Sequence, residues 1–212
     1  MGRPSVEHAD FLDAALALVA ERGPSTVTVG AITGRLQAPT GSFYHRFASR
    51  DALLGELWLN TILDFQAGFG AALDAGDGLG AALHTPAWVR EHPDEGRLLL
   101  LHHRDDFVHG DWPPALRDRV AEHTRHASAA LEKFAADTFG HAGPEELRRV
   151  QFVLANVPVA AVRQHLQRRE PPPPIVDELI RATYHAIIGS HGGGRQSPVA
   201  TKRSRPPRQR RI

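Results

Sequence analysis

The sequence predicts an all-α protein, with an N-terminal three-helix domain followed by a larger helical domain. Apolar residues recur at helical spacing along most of the chain. The one short β-prone run, Thr26-Val27-Thr28-Val29, passes at once into helical spacing. Proline and glycine breaks fall where helices of ordinary length would end. The 212 residues, 42% hydrophobic and 23% charged, suit one large or two small globular domains. The absence of cysteine excludes disulfides and thiolate metal sites. No apolar stretch approaches the roughly 18 residues of a membrane span, and residues 1–4 lack the apolar core of a secretory signal. A cytoplasmic protein is expected.

Leu12, Ala15, Leu16 and Val19 set the inward face of a first helix, with Ser5 as its N-cap and Glu7 in its first turn. Gly23-Pro24 ends it. Thr28 caps a short second helix reaching about residue 36, with Val29, Ile32 and Leu36 on one face. Gln37-Ala38-Pro39 forms a tight connection, because Pro39 cannot sit inside a helix. A third short helix spans about residues 40–47. Ser49 caps a fourth, with Asp51 in its first turn and Leu53, Leu54, Leu57 and Trp58 inward. It reaches about Leu73, weakened by Gly68 and Gly70. Helices over residues 79–91 and 93–108 follow, the second opened by Pro93 and closed by Trp112-Pro113-Pro114. A long helix over 115–139, a turn at 140–143 and a helix over 144–167 come next, with a kink at Pro158. Residues 171–174 are a rigid connector, and a last apolar helix spans 175–188. The domains are therefore residues 1–50, residues 51–189 and a basic tail at 190–212, whose composition predicts disorder.

The net charge of +1 is misleading. Arg195, Lys202, Arg203, Arg205, Arg208, Arg210 and Arg211 lie in the tail with no acid, and subtracting these seven leaves −6 for the rest. Any nucleic-acid argument must therefore be local.

A helix-turn-helix needs two short helices crossing steeply, a tight turn, a small shared core, and a second helix whose outer face is free for a major groove. Residues 28–47 fit, with Val29, Ile32, Leu36, Phe43 and Phe47 as core. At about 100° per residue, turning Phe43 and Phe47 inward puts Gly41 and His45 outside, flanked by Tyr44 on one side and Ser42 and Arg46 on the other. Gly41 allows close backbone approach. Thr40, Ser42 and Tyr44 suit phosphate oxygens. His45 and Arg46 suit base edges. Thr28 stands at a helix N-terminus, where amides favour phosphate. Arg35, Arg46 and Arg50 are basic between Ser25 and Arg50, where no acid occurs. Short helices with aromatic cores also occur in proteins that never touch DNA.

The run Gly41-Ser42-Phe43-Tyr44-His45-Arg46-Phe47, followed by Ser49-Arg50-Asp51-Ala52-Leu53-Leu54, resembles the TetR family of transcriptional regulators. Leu12-Asp13-Ala14-Ala15, Gly23, Thr28-Val29 and Ile32 fall at that family's spacing, so the likeness covers about residues 8–58. The resemblance implies an all-helical homodimer that represses transcription at a palindromic operator in double-stranded DNA. Its C-terminal domain would bind a small-molecule effector and dimerise. By the same resemblance Thr28, Tyr44 and Arg50 contact phosphates, while Thr40, Gly41, Ser42, His45 and Arg46 enter the major groove. Three positions depart from the commonest pattern: Pro39 stands where a Ser or Thr often caps the reading helix, leaving Thr40 to cap; Leu36-Gln37 replaces Ala-Gly; and Thr33 replaces Ala. Gly2-Arg3-Pro4 reads either as an arm for a minor groove or as a frayed end.

The resemblance puts the dimer surface on the last two helices, which carry Val150, Val153, Leu154, Val157, Ala161, Leu179, Tyr184, Ile187 and Ile188. Candidates for an effector pocket are Phe65, Phe69, Trp88, His102, Phe107, Trp112, Phe134 and Phe152, each of which also reads as core. His102 and Asp106, four apart on one helix within a cluster ending at His109, form a possible metal pair. The alternative function is therefore a helical metal-binding or enzymatic protein using residues 102–109. No phosphate loop or nucleophile motif appears, so neither catalysis nor a cofactor is expected. The basic tail would either add salt-sensitive DNA affinity or remain solvated.

Overall fold

The computed structural model describes residues 6–108 and 114–189, and no strand occurs among them. Gly2-Arg3-Pro4, the Ser5 cap, His109, Trp112 and the basic tail lie outside the described residues.

Helix α1, His8–Arg22, is capped by Glu7, whose backbone N–H donates to Asp10 at 2.6 Å. Its buried face is Phe11, Ala14, Ala15, Leu18 and Val19; Leu12 and Leu16 are only half-buried. The expected Leu12/Leu16 face is thus rotated, because α1 is apolar around most of its girth and Phe11 fills the largest space. At Gly23 the φ of 84° turns the chain into a 3-10 turn, Pro24–Thr26, rather than a strand. Helix α2 is Val29–Arg35, with the Thr28 hydroxyl accepting from the Ala31 amide at 3.0 Å. Helix α3 is Thr40–Tyr44, shorter than expected at its C-terminal end.

Helix α4, Arg50–Asp74, begins at its Ser49 cap and runs unbroken through Gly68 and Gly70. At Gly68 a side chain would collide with the His84 ring, so the glycine permits close packing against α5, Gly78–Glu91. Helix α6 is Pro93–Leu101, not a helix to residue 108. The backbone turns extended at His102 and closes a 3-10 turn, Arg104–Asp106, in which Asp106 accepts from the His103 amide at 2.7 Å.

Helix α7 is Pro114–Phe139 and α8 is Pro144–Gln151. A π-turn, Phe152–Asn156, then joins α8 to α9, Val157–Arg168. Pro158 has no N–H to continue the ladder, and the widened turn before it accommodates the loss where a kink was expected. Helix α10, Ile175–Tyr184, ends in a second π-turn, His185–Gly189. Arg90 of α5 pins its start, with a bidentate pair to Asp177 at 3.0 and 2.9 Å.

Two cores form. One joins α1, α2 and α3 to Leu53, Leu54 and Leu57 of α4, and to Leu98 and Phe107. The other fills the bundle of α5, α7, α8, α9 and α10 around Trp88, Phe134, Leu154 and Ile180. Helix α4 enters both, since Leu73 belongs to the second.

Candidate functional site

The first core fixes the exposed face of α3. Phe11, Phe43 and Phe47 pack with ring centroids 5.5 to 6.1 Å apart, and Ile32 is buried with them. His8 stacks on Phe47 at 4.3 Å and closes the cluster. Thr33, buried where a small residue is commoner, donates its hydroxyl back to the Val29 carbonyl at 2.9 Å and so leaves no unmet polar group.

The turn between α2 and α3 is built on Gln37, which has φ 51°. Its amide donates to Gly34 and the Ala38 amide donates to Thr33, at 3.1 and 2.9 Å, closing the last turn of α2. This left-handed position is where glycine is favoured, and here Gln37 occupies it. Pro39 takes the cap position of α3 and Thr40 is the first helical residue, so Thr40 does not cap.

The outward residues fall into three groups. Thr28, Thr40, Gly41, Tyr44 and His45 are exposed, Tyr44 by 58%. Tyr44 rests edge-on against Phe43 at 5.3 Å, which aims its hydroxyl away from the core. Ser42 and Arg46 are half-buried. The Ser42 hydroxyl donates to the Pro39 carbonyl at 2.6 Å, and Arg46 folds back to donate to the Ser42 carbonyl at 3.2 Å, over the Phe11 ring at 5.7 Å. Arg50 is the third case. Its guanidinium donates to the Val27 carbonyl at 2.7 Å and the Pro24 carbonyl at 2.6 Å, and pairs with Asp51 at 2.7 Å. In this structure Arg50, expected to grip a phosphate, clamps the segment before α2 to α4.

The expected pocket residues do not converge as a set. Phe65 and Phe69 line a cavity of about 200 Å³ among α4, α5, α7 and the α8–α9 junction. Trp88 packs behind Phe65 and donates to Asp64 at 2.9 Å. Phe134 belongs to the second core and Phe107 to the first. His102 sits at the end of α6 beside Gly23; it no longer shares a helix with Asp106, but both line one surface recess. Phe152 is 46% exposed and faces out of the bundle. These departures share one cause: aromatic character marks buried space without saying which space is empty.

The cavity wall includes residues the sequence did not single out, among them Gln66, His123, Ala127, Leu131 and Val159. A readable signal existed in the stripe His123, Ala127, Ala130, Phe134 along α7. Burial, and secondarily the nearby His126, push the His123 pKa below the ordinary histidine value. Burial does the same to His84, although its ring donates to the Phe65 carbonyl at 2.7 Å. Among the described residues no group of three or more His, Asp or Glu side chains is gathered to hold a metal ion.

Residues 11–57 match the family model described as bacterial regulatory proteins, tetR family. Residues 11–57 thus resemble the N-terminal domain of that family. Beyond these residues the likeness is structural. A protein of Shewanella sp. PV-4, classed as a tetR family transcription regulator, superposes with a TM-score of 0.63 at 17% identity, over 86% of this chain and 96% of that one. The regulator FadR of Bacillus subtilis, solved in complex with stearoyl-CoA, gives 0.60 at 12% identity, over 86% and 98%. PfmR of Thermus thermophilus, a TetR family transcriptional regulator, gives 0.59 at 19% identity, over 84% and 97%. No curated protein matches the chain. The chain thus has the all-α fold of tetR-type transcription regulators, its helix-turn-helix domain followed by a helical C-terminal domain.

Proposed function

We infer that this protein is a ligand-responsive repressor that binds a palindromic operator in double-stranded DNA as a homodimer. The observation that carries the reading is the outer face of α3. Gly41, Tyr44 and His45 are exposed together beside Thr28, while the opposite face is held rigidly by Phe43. Tyr44, Thr40 and Thr28 suit phosphates, and His45 suits a base edge. Arg46 reaches a base by leaving the Phe11 ring, an exposed cation–π contact worth about 0.5–1 kcal/mol. Ser42 meets DNA as an acceptor, its proton being donated to Pro39. Arg50 supports the reader from within.

Four large hydrophobic side chains are exposed among the described residues, and three of them, Phe152, Ile175 and Leu179, lie at the π-turn after α8 and on α10. A second copy covering this face supports the dimer. Of the residues expected there, Val150, Val153, Leu154 and Ile188 are instead buried within the chain. A dimer would present two copies of α3 about one turn of DNA apart.

Regulation follows from α4. Its 25 residues span about 37 Å, with Leu53, Leu54 and Leu57 in the reader's core and Phe65 and Phe69 in the cavity wall. A ligand that prefers one tilt of α4 thereby selects one spacing of the readers. No helix of the described residues is long and apolar enough to cross a membrane. An electrophoretic shift with DNA upstream of the protein's own gene, at low salt and without ligand, tests the reading. A discrete retarded band is expected; its absence counts against the function.

A further inference from the structure

The cavity between α4 and α7 has an apolar wall that includes Phe65, Phe69, Leu131 and Leu154. Two residues of the same wall, Gln66 and His123, each hold a buried polar atom, Oε1 and Nε2, that has no hydrogen-bond partner among the described residues. Leaving such atoms unpaired is strongly unfavourable, and buried polar groups in folded proteins are nearly always satisfied. Two unmet atoms in the wall of one cavity therefore point to a partner from outside the described residues.

No Asp, Glu, Lys or Arg lines the cavity, and burial lowers the His123 pKa, disfavouring its charged form. An ionised ligand group would find no permanently charged partner in this wall, which is costly. A cavity of about 150 Å³ holds a benzene, so about 200 Å³ suits one substituted ring or a short chain.

We propose that this cavity binds a small, neutral, mainly apolar compound carrying a hydroxyl group, which Gln66 and His123 recognise. A hydroxyl both donates and accepts. Its one proton is donated to Gln66 Oε1, which only accepts, and its oxygen accepts from His123 Nε2–H in the tautomer that carries the proton there. A ketone or an ether cannot donate to Gln66, and a hydrocarbon leaves both atoms unpaired. The proposal rests on the reading of the C-terminal domain as effector-binding.

The test is calorimetric titration of the full-length protein with 4-propylphenol, propylbenzene and 4-propylbenzoate. The phenol is expected to bind about fivefold to tenfold tighter than propylbenzene, and the benzoate weakest. Gln66→Leu and His123→Phe are each expected to bring phenol and hydrocarbon within about twofold. Each also raises the melting temperature of the unliganded protein, since an unpaired polar atom is removed. Equal binding of phenol and hydrocarbon by the wild type, tightest binding of the benzoate, or binding of none of the three overturns the proposal, whatever the variants do. Measuring DNA selection on the same preparation separates the two readings. Phenol preference without DNA selection keeps the cavity assignment and removes the regulator; DNA selection without phenol preference does the reverse.

Discussion

At the residue scale the reader depends on side chains that do different work from what their types suggest. Arg46 and Arg50 are both basic, but one lies over an aromatic ring at the surface and the other is engaged with carbonyls inside. Sequence distance from the reading helix cannot separate them, because the Pro24 and Val27 carbonyls reach Arg50 only through the 3-10 turn. Gln37 carries a second residue-scale consequence. A non-glycine residue at a left-handed φ costs about 1 kcal/mol or more, and its φ is 51°. Gln37→Gly is expected to raise stability by roughly 1 kcal/mol in urea unfolding, with no loss of DNA binding. A destabilised Gln37→Gly protein would show that the glutamine's contacts outweigh its backbone strain.

At the scale of elements, Arg50 joins the segment before α2 to the start of α4, and its NH1 also reaches the Phe107 carbonyl at 3.5 Å. Arg97 and Arg169 act similarly on α1, donating to the Ala20 and Glu21 carbonyls from α6 and the end of α9. The end of α1 is thus held by the C-terminal bundle. Arg50→Lys separates the clamp from a phosphate contact. A lysine replaces a phosphate-gripping charge but not a fork between two carbonyls. The substitution is expected to cost about 1–3 kcal/mol in unfolding free energy, with the salt dependence of DNA binding unchanged. Unchanged stability with a reduced salt slope would return Arg50 to the DNA surface.

The elements of the reader were legible because period and chemistry agree there. Phe43, Phe47 and Ile32 can only face inward if Gly41 and His45 face out. Outside the reader, agreement weakens. In α1 Phe11, Leu12, Leu16 and Leu18 point several ways, so spacing alone does not select the buried face. At residues 102–108 apolar and charged residues keep a helical rhythm, but the capping pair of His103 and Asp106 favours a turn. The cavity was least legible, since an unfilled space depends on how helices distant in sequence approach. Gln66 and His123 become distinctive only once their partners prove absent.

At the scale of the molecule, one long helix joins the helix-turn-helix core to a bundle with a cavity, and among the described residues an apolar face remains uncovered. Leu179 is 61% exposed, and Phe152 is exposed too. Large exposed apolar patches mark interaction surfaces, and an isologous pair would bury each against its copy. Leu179→Glu with Phe152→Glu is expected to leave a folded monomer by sedimentation velocity, with operator affinity reduced at least about tenfold because half-sites no longer bind together. A double variant that stays dimeric would move the interface elsewhere.

The central claim is that α3 reads DNA sequence. Its most direct measurement is selection from random double-stranded oligonucleotides by the full-length protein, repeated with Tyr44→Ala and Arg46→Ala. The wild type should enrich an inverted repeat with half-sites about one helical turn apart. Tyr44→Ala should weaken binding to all sequences alike, and Arg46→Ala should relax the choice at one base pair in each half-site. Enrichment of no sequence, or an unchanged repeat and affinity in both variants, would contradict it.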